Sequence, residues 1–341
     1  MRALVTGGGG FLGRAIVERL LGRGDKVRFI ARNKYPHLEA LGAEGLQGDI
    51  RNPEDMVQAC RGVEAVFHTA ALPGIWGDLK LYTAINFQGT QNVLAACKRR
   101  GVGRLVYTGS SSVVFAMKDE CGINESAPFP ARWYNPYTQT KAQAEEAVLQ
   151  ANGKDGLLTC ALRPHLLWGP RDTQLLPRLI QRARRRQLWI IGRGTNRVAL
   201  TYIDNAALAH LLACDALAPT RCAGEAYFIS DEKPVVLWEW VNALLRALEI
   251  PPVDKRLPVF AAYGLGWFME GAHILLRKTT EPQFTRFLAR TLSCSHYYDL
   301  NKAKRDFHYA PVISNEEGMR QTIKYLQNAE SREQKAEKSD G

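Results

Sequence analysis

Two features are scarce in this 341-residue sequence: paired cysteines and long hydrophobic runs. The seven cysteines are scattered and never form a Cys-x-x-Cys pair, which argues against a disulfide framework or a metal site and favours a reducing compartment. Because a strand-like run, Arg2 to Val5, follows Met1 at once, we expect no signal or transit peptide. These absences predict a cytoplasmic protein.

The chain is basic, and its positive charge is unevenly distributed. The net charge is +11, and 46% of the residues are hydrophobic, as in ordinary globular proteins. Between Arg171 and Leu200 lie eight arginines and a single acid, Asp172. Such a cluster is typical of a solvated basic helix, but it would also suit an anionic membrane surface or an acidic substrate. No nucleic-acid motif or ladder of aromatics accompanies it, so we expect no nucleic-acid partner.

Short β-type runs alternate with amphipathic helical stretches through the first half of the chain. This alternation predicts an α/β fold with a doubly wound parallel sheet of Rossmann type and a smaller C-terminal substrate-binding lobe. We place the Rossmann domain at 1–163, a mostly substrate-binding lobe at 164–328 with some segments near 200–230 returning to the Rossmann domain, and a disordered tail at 329–341. Strands are expected at Ala3–Val5, Val27–Ile30, Gly45–Gln47, Ala65–Thr69, Arg104–Thr108 and Leu158–Arg163, and helices near Gly10–Leu21, Pro53–Ala59, Leu79–Arg99 and Tyr137–Asn152.

One segment, Val259 to Leu276, is apolar on nearly every helical face, and only Glu270 and His273 interrupt it. It falls short of the roughly 20 apolar residues of a membrane span, and the charge in its middle argues against a crossing. We interpret it either as a buried helix or pocket lid, or as a helix lying in the membrane interface. The second interpretation would place the protein peripherally at the inner face of an anionic membrane.

A glycine-rich turn, Thr6-Gly7-Gly8-Gly9-Gly10-Phe11-Leu12-Gly13, follows the first strand. Gly7 permits the tight turn, Gly10 lets the backbone approach a pyrophosphate, and Gly13 lets the helix pack close to the sheet. The phosphates would then meet the free N–H groups and the dipole at the helix N-terminus. Because strand, glycines and helix occur in the required order, the sequence predicts a dinucleotide site that includes Phe11 and Leu12.

The end of the second predicted strand separates NAD from NADP. An acidic residue there would hold the ribose 2′-hydroxyl, but the strand is followed by Ala31-Arg32-Asn33. Arg32, together with Arg14 after the glycines, would instead meet a 2′-phosphate, so we predict NADP(H) in preference to NAD(H); a solvent-facing Arg32 is the alternative. Asp49 and Ile50 follow the third strand, where the Asp49 carboxylate would accept a hydrogen bond from the adenine amine.

Tyr137 and Lys141 lie at the start of a predicted helix, one turn apart on the same face. A free tyrosine has a pKa of about 10, too high for a base at neutral pH. We expect the Lys141 ammonium and the positive nicotinamide ring to favour the phenolate and lower the pKa of Tyr137. The run Thr108-Gly109-Ser110-Ser111-Ser112 leaves the fifth strand at the carboxyl edge of the sheet, where ligands bind in doubly wound folds.

Together these motifs resemble those of the extended short-chain dehydrogenase/reductases. The resemblance covers about residues 1–325 and rests on Thr6-Gly7-x-x-Gly10-x-x-Gly13, Asp49-Ile50, His68-Thr69-Ala70-Ala71, Asn86-Phe87-Gln88-Gly89-Thr90, Tyr107-Thr108-Gly109-Ser110, Tyr137-x-x-x-Lys141, Arg163-Pro164 and Gly169-Pro170. Within this family, Tyr107–Phe115 is similar to the 3β-hydroxysteroid and sterol-4α-carboxylate 3-dehydrogenases. The segments Ala161–Pro170, Leu175–Leu179 and Glu281–Leu288 are more similar to the bacterial 2-alkyl-3-oxoalkanoate reductases of long-chain olefin synthesis.

The resemblance implies an NAD(P)-dependent enzyme acting on a CH–OH group, and it implies a role for each matching residue. Tyr137 would donate or accept the proton, Lys141 would bind the nicotinamide ribose and lower the pKa of Tyr137, and Ser110 would hydrogen-bond the substrate oxygen. Asn86 would steady Lys141 through the active-site hydrogen-bond network. The further implied contacts are Ala70, Ala71 and Pro164 with the cofactor, and the Leu79–Arg99 and Tyr137–Asn152 helices within a homodimer.

Both branches handle a β-hydroxy or β-keto acid with a large apolar body. We therefore predict an oxidoreductase that interconverts a ketone and a secondary alcohol on a bulky lipophilic 3-oxo/3-hydroxy acid, with a sterol dehydrogenase as the alternative. A sugar-nucleotide epimerase is disfavoured by the apolar Val259–Leu276 stretch, and a non-catalytic NADP-sensing regulator by the Tyr137–Lys141 pair. The candidate substrate contacts are Trp76, Ser111, His165, Trp168 and Trp267, with core packing as the alternative for the tryptophans and a structural role as the alternative for His165.

Overall fold

The computed structural model describes every residue except Arg277, Thr279, Asp340 and Gly341. The strands, numbered along the chain, are β1 (Arg2–Thr6), β2 (Lys26–Ala31), β3 (Glu44–Gln47), β4 (Ala65–His68), β5 (Arg104–Thr108), β6 (Glu120–Ile123), β7 (Leu158–Pro164), β8 (Leu167–Trp168), β9 (Ile190–Ile191), β10 (Arg197–Val198), β11 (Thr201–Tyr202), β12 (Ala226–Ile229), β13 (Val235–Val236), β14 (Arg256–Leu257) and β15 (His296–Tyr298). The α-helices are α1 (Phe11–Gly22), α2 (Pro36–Ala40), α3 (Pro53–Ala59), α4 (Leu79–Tyr82), α5 (Gly89–Arg100), α6 (Pro136–Gln150), α7 (Leu175–Arg184), α8 (Ile203–Asp215), α9 (Leu237–Ala247), α10 (Val259–Leu275), α11 (Arg286–Thr291), α12 (Asn301–Phe307) and α13 (Asn315–Ser339).

Among the described residues, seven parallel strands form the central sheet in the order β3-β2-β1-β4-β5-β7-β12. The order reverses between β1 and β4, and ligands of such sheets bind at this reversal, beyond the carboxyl ends of the strands. The predicted doubly wound parallel sheet is confirmed, and each predicted strand agrees with the observed one to within about one residue at each end. At one edge lies β12, which comes from the second half of the chain.

Helices cover both faces of this sheet. Successive strand residues point to opposite faces, so Ala3, Val5 and Phe67 pack into one apolar layer, which α1 and α8 complete. Leu4 and Val66 face the other layer, which α3, α5 and α6 cover. The two layers leave the loops after β1, β4, β5 and β7 free to form a site at the carboxyl edge.

The C-terminal lobe contains shorter strands. One sheet has the order β13-β10-β15-β6, and two strand pairs, β11-β8 and β14-β9, lie apart from it. Strand β6, which follows the loop after β5, pairs in parallel with β15 near the end of the chain. This pairing fixes the lobe beside the loop that contains Ser110.

Helix α10 corresponds to the apolar segment predicted at Val259–Leu276. Its buried residues, Ala262, Gly266 and Glu270, recur every four positions and form a narrow inner face. The opposite face is apolar and open to solvent: between 62% and 83% of each of Phe260, Trp267, Phe268, Ile274, Leu275 and Leu276 is exposed. The structure therefore contradicts the interpretation as a buried helix. Within the described chain, no helix combines the length and the apolar character that crossing a bilayer requires.

The structure also differs from the prediction at the C-terminus. The sequence predicted a disordered tail at 329–341, whereas α13 continues through Ser339, and the last two residues lie outside the described part. The tail is rich in alanine, glutamate and lysine, which have high intrinsic helix propensity. Its polarity, on which the prediction rested, does not oppose helix formation.

Candidate active site

The turn between β1 and α1 forms an open cradle at the carboxyl edge of the sheet. Gly7 has a φ of 67°, in the left-handed region, and its N–H donates to the Ile30 carbonyl at 2.8 Å. A side chain at Gly13 would overlap the Gly7 carbonyl oxygen, so glycine there lets α1 lie against the turn. Gly10 is exposed, and apart from the Gly7 carbonyl the space beside its Cα is open.

This cradle fits the phosphates of a dinucleotide. Gly10 is the N-cap of α1 and has no side chain to bond the first N–H groups of the helix. These donors and the positive end of the helix dipole therefore face the open space at Gly10, where a pyrophosphate would be held. Phe11 begins the helix and Leu12 is buried in its first turn, so both would contribute backbone N–H groups rather than side chains.

Sequence reasoning gave no role to Gly8 and Gly9. In the structure, a side chain at Gly8 would overlap Phe29 of β2, and one at Gly9 would overlap the Tyr35 ring. The two aromatic rings stand edge-on, with centroids 6.3 Å apart. The Phe29 and Tyr35 rings pack against the glycine turn at Gly8 and Gly9. Spacing along the sequence contains no signal for such a long-range contact.

The two arginines predicted to meet a 2′-phosphate differ in their surroundings. Arg32 is exposed beyond β2, and in the described part of the chain its guanidinium forms no ion pair. Arg14 bonds to Glu18, one turn along α1, at 2.8 Å, and Arg171 bonds to both oxygens of the same carboxylate at 2.8 Å. Glu18 therefore already pairs with Arg14. Arg32 is the stronger candidate for binding a 2′-phosphate.

Asp49, beyond β3, is held by a neighbour. Arg51 bonds to both Asp49 carboxylate oxygens at 2.6 to 3.1 Å. These bonds lower the pKa of Asp49, and the Arg32 charge adds to the effect. The carboxylate remains ionised and partly exposed, as an acceptor for an adenine amine must be. The next residue, Ile50, is buried against α5.

Lys141 is buried on α6 beneath the end of β5. Its Nζ donates to the Thr108 carbonyl at 2.6 Å and lies 4.2 Å from the centroid of the Tyr107 ring. Burial lowers the pKa of Lys141 to about 7, although the nearby Glu145 carboxylate opposes this shift. Glu145 forms a buried ion pair with Arg163 of β7, at 2.5 Å. This pair fixes α6 to the sheet next to the lysine.

The Ser110 side chain lies next to the Tyr137 hydroxyl and interacts with it. Ser110 caps a single 3₁₀ turn, Ser111–Val113, and its Oγ also lies 2.8 Å from the Ser112 Oγ. Burial raises the pKa of Tyr137, and the interaction with Ser110 opposes the rise. The lowering of this pKa by the Lys141 ammonium together with a bound nicotinamide ring stays a prediction; in the structure the ammonium donates to the Thr108 carbonyl.

Asn86 lies in a π-helical turn, Thr83–Gln88, that interrupts the predicted helix Leu79–Arg99. Its amide oxygen accepts from the Leu72 N–H at 2.7 Å. Its amide nitrogen donates to the Leu72 carbonyl at 3.2 Å and to the Thr140 hydroxyl at 3.1 Å. Asn86 thus joins the loop after β4 to the residue before Lys141. π turns frequently occur at functional sites.

His68, at the end of β4, links β1 to this turn, a role that sequence reasoning missed. Its Nδ1 lies 2.7 Å from the Thr6 hydroxyl and its Nε2 lies 2.9 Å from the Thr90 hydroxyl, which donates to the Asn86 carbonyl at 2.6 Å. Since the Thr90 proton is used, Nε2 must carry the imidazole proton and Nδ1 must accept from Thr6. Burial lowers the pKa of His68 to about 3, so the ring is neutral.

The remaining predicted cofactor residues lie at the same edge. Ala70 and Ala71 continue from β4, and the Ala70 N–H donates to the Thr6 hydroxyl at 3.2 Å. A side chain at Gly7 would meet the Ala70 backbone, so the two loops adjoin. Pro164 ends β7, in register with Ile229 of β12.

Three of the predicted substrate residues are buried. Trp168 is fully enclosed, with its ring edge-on to Tyr202 and Trp240, so core packing is its role. Ser111 and His165 are also buried, and they bond to each other at 2.5 Å. The alternative that treats His165 as a structural histidine therefore agrees with the structure. These side chains do not line an open surface.

The other two predicted substrate residues lie at or near α10. Trp76 is partly exposed and stands edge-on to the His273 ring of α10, with centroids 6.1 Å apart. The Tyr82 hydroxyl donates to the Trp76 carbonyl at 3.3 Å, which ties this loop to α4. Trp267 is on the outer face of α10 and is 65% exposed. The loop of Trp76 therefore contacts α10.

A Rossmann sheet, an open glycine cradle and a serine–tyrosine pair near a buried lysine define an NAD(P)-binding oxidoreductase of the extended short-chain dehydrogenase/reductase class. Comparison with known proteins agrees with this assignment. The sequence pattern of the 3-beta hydroxysteroid dehydrogenase/isomerase family matches residues 4–259, and the chain belongs to that family. The predicted oxidoreductase is confirmed.

Two bacterial relatives match over nearly the whole chain. The 2-alkyl-3-oxoalkanoate reductase of Shewanella oneidensis is 48% identical over 326 residues, which are 93% of this chain and 84% of that protein. The protein of the same name from Stenotrophomonas maltophilia is also 48% identical, over 94% of this chain and 98% of its own length.

Among solved structures, UDP-glucuronic acid 4-epimerase from Bacillus cereus, in complex with UDP-glucuronic acid and NAD, has a similar architecture. Its TM-score is 0.74 at 22% identity, and the match covers 96% of this chain and 100% of that one. At this identity the likeness shows the shared fold and nothing about the substrate.

Proposed function

We propose that the protein is a nicotinamide-dependent ketoreductase that acts on a bulky lipophilic 3-oxo acid, as the names of its 48% identical relatives suggest. The observation that carries the proposal is the interaction of the Ser110 side chain with the Tyr137 hydroxyl, one helical turn before the buried Lys141. A ketone oxygen between the two hydroxyls would accept a hydrogen bond from Ser110 and a proton from Tyr137.

Three side chains would take part in the reaction. A bound nicotinamide supplies or takes the hydride. The raised pKa keeps Tyr137 protonated at neutral pH, which suits a proton donor in ketone reduction. Ser110 would stabilise the carbonyl oxygen as it gains negative charge. Lys141 would hold the ribose of the cofactor, and its positive charge would stabilise the phenolate that remains after proton transfer.

The second candidate substrate is a 3β-hydroxysteroid or a sterol-4α-carboxylate, which the family assignment favours. The two candidates are separated by measuring NADPH oxidation with a 2-alkyl-3-oxo long-chain acid and NADP⁺ reduction with a 3β-hydroxysterol. Activity on the acyclic acid that disappears in Tyr137→Phe supports the first proposal. Activity on the sterol alone supports the second.

We propose that NADP(H) is preferred over NAD(H) because Arg32 is free to bind a 2′-phosphate. We expect Arg32→Glu to raise the KM for NADPH by about 10- to 100-fold, the effect of losing a charge-assisted hydrogen bond, with little change for NADH. Initial rates at varied NADPH and NADH measure both constants. Lys34→Glu, the same charge change two residues away at an exposed site, is the control. An unchanged KM for NADPH in Arg32→Glu would refute the preference.

We also propose that the enzyme works in the cytoplasm as a homodimer. All seven cysteines are unpaired and six of them are buried, which suits a reducing compartment. The dimer would form through α5 and α6, as the family resemblance implies. Light scattering on the purified protein tests the oligomeric state, and a monomeric mass would refute the proposed homodimer.

We propose further that α10 contacts an anionic membrane. Its one acidic residue, Glu270, is turned inward and accepts from Arg286 Nε at 2.6 Å, so the outer face has no carboxylate. Lys255 and Arg256 precede the helix and Lys278 follows it, and all three are exposed. An apolar face flanked by cations is the pattern of a helix that lies in the interface of an anionic bilayer.

We expect the wild type to float with vesicles that contain phosphatidylglycerol, and Trp267→Glu to lower the bound fraction by about tenfold, since it removes a large inserted side chain. The control is Leu41→Glu, which is also at an exposed apolar side chain but in the Rossmann domain. Equal flotation of Trp267→Glu and wild type would refute the membrane contact. If Trp267→Glu instead converts a dimer to a monomer, the face is a subunit interface.

A further inference from the structure

Three buried side chains outside the predicted catalytic set form a continuous hydrogen-bonded chain. The Ser111 Oγ lies 2.5 Å from the Nδ1 of His165, whose Nε2 lies 2.7 Å from the Nδ1 of His296. The Nε2 of His296 lies 2.9 Å from the Thr291 carbonyl. The chain runs from the 3₁₀ turn after β5, past the end of β7, to β15 and the end of α11. It therefore joins the Rossmann domain to the lobe.

The last acceptor of this hydrogen-bonded chain determines which atom donates and which accepts in each bond. A carbonyl oxygen can only accept, so the His296 Nε2 must carry the proton of that ring. The neutral ring then accepts at Nδ1, and the Nε2 of His165 must donate to it. By the same step the Nδ1 of His165 accepts, and the Ser111 hydroxyl donates. Burial lowers the pKa of both histidines, so both rings are neutral.

This hydrogen-bonded chain does not conduct protons to the candidate active site. It ends on a backbone carbonyl, which has no proton to pass on. Its members are also enclosed: Phe115 stands 5.8 Å from His296 and Tyr298 stands 5.3 Å from His165, measured between ring centroids. The titratable groups near it are Asp119, whose charge acts on His296, and Glu120, which is in register with His296 and whose pKa burial raises to about 7. A fully bonded buried chain of fixed direction holds its ends in place.

The end at Ser111 lies next to Ser110. Ser111 is the first residue of the turn that Ser110 caps, and the Ser110 Oγ accepts from the Ser112 N–H at 3.3 Å. Neighbouring serines compete for the same backbone donors and acceptors. Because the Ser111 proton is given to His165, the turn has one favoured arrangement, in which Ser110 faces Tyr137.

We infer that Ser111, His165 and His296 are positioning residues for the proposed reaction: they hold the turn that presents Ser110 to Tyr137. The inference rests on the proposed roles of Ser110 and Tyr137. It assigns to His165 a function other than the substrate contact that the sequence suggested. It also explains why polar side chains occupy an enclosed place where apolar ones would pack without needing partners.

A matched pair of substitutions tests the inference. In His165→Asn the amide oxygen takes the place of Nδ1 and still accepts from Ser111, whereas in His165→Gln the amide lies near the place of Nε2 and the bond to Ser111 is lost. We expect His165→Gln and Ser111→Ala to lower kcat for ketone reduction by about tenfold, the effect of one hydrogen bond, with KM nearly unchanged. His165→Asn should stay close to wild type.

The pH profile gives a second readout. Reduction requires protonated Tyr137, so its rate falls as the pH rises through the pKa of that residue. Since the interaction with Ser110 lowers the pKa of Tyr137, its loss should move the falling limb to higher pH in His165→Gln and Ser111→Ala, but not in His165→Asn. The double variant Ser111→Ala/His165→Gln should be no slower than either single variant, because both remove the same bond.

Failure of this inference and failure of the proposed function are distinguishable. If Tyr137→Phe is inactive while His165→Gln and Ser111→Ala keep wild-type rates and pH profiles, the positioning role is overturned and the function stands. If His165→Asn and His165→Gln lose the same activity, and the loss parallels a fall in melting temperature, His165 has only a structural role. The inference is then likewise overturned. Should His165→Gln not fold, Ser111→Ala decides alone, since it removes a single hydroxyl.

Discussion

Replacing Tyr137 with phenylalanine is expected to lower kcat for ketone reduction by about 10²- to 10⁴-fold and to leave the KM for NADPH within about twofold. The substitution removes the hydroxyl that interacts with Ser110 and keeps the ring at the start of α6. Without this donor, the carbonyl oxygen must take its proton from water as the hydride arrives. Steady-state NADPH oxidation with a 2-alkyl-3-oxo acid measures the loss.

The control for this substitution is Tyr134→Phe. Tyr134 precedes the same helix but is 44% exposed, so removing its hydroxyl should leave the rate unchanged. If Tyr137→Phe retained a rate close to that of Tyr134→Phe, Tyr137 would not be the proton donor. The proposed reaction would then need another acid.

Replacing Lys141 with methionine is expected to have the second largest effect, a fall in kcat/KM of about 10²-fold. The change removes the charge that would stabilise the Tyr137 phenolate, and hydrogen bonds to charged groups contribute about 1.5–3 kcal/mol. It also leaves the Thr108 carbonyl without its donor at 2.6 Å. Lys80→Met, at an exposed lysine, is the control. Wild-type kcat/KM in Lys141→Met would exclude the proposed role.

Lys141 should also contribute to the pH dependence of stability. Burial lowers its pKa from 10.5 to about 7, so between these values the unfolded chain binds more protons than the folded one. The stability contribution of this group therefore rises with pH, by at most about 1.4 kcal/mol per pH unit. Denaturant unfolding should show that the free energy of unfolding of the wild type, minus that of Lys141→Met, increases from about pH 7 to about pH 10. A difference that does not change with pH would contradict the lowered pKa.

The central sheet could be predicted from the sequence because its strands are apolar runs separated by helices of regular period. Helix α2 (Pro36–Ala40) was missed, since it buries only Leu38 and shows no period. The strands of the lobe are mostly two or three residues long, too short for a pattern to appear. The lobe is organised by long-range contacts, such as the pairing of β6 with β15.

The same contrast between local patterns and long-range contacts applies to the residues of the candidate site. Gly7, Gly10 and Gly13 were predictable because their roles depend on spacing within one turn. The direction of the Lys141 ammonium was not, because it depends on a carbonyl 33 residues earlier in the chain. Glu18 shows the same limit: besides Arg14, one helical turn away, it binds Arg171, which lies 153 residues further along the chain. Composition and spacing identify the groups at a site, and tertiary packing determines what each group faces.

The π-helical turn at Thr83–Gln88 has a consequence for the length of this segment in related chains. A π turn holds one more residue than an α-helical turn, and each residue of an α-helix adds a rotation of about 100°. Deleting one residue here would restore a regular helix, but it would rotate Asn86 away from Leu72 and Thr140, or turn the apolar face of α5 out of its layer. Insertions and deletions in this stretch should therefore be rarer among relatives than in the surface loops around it.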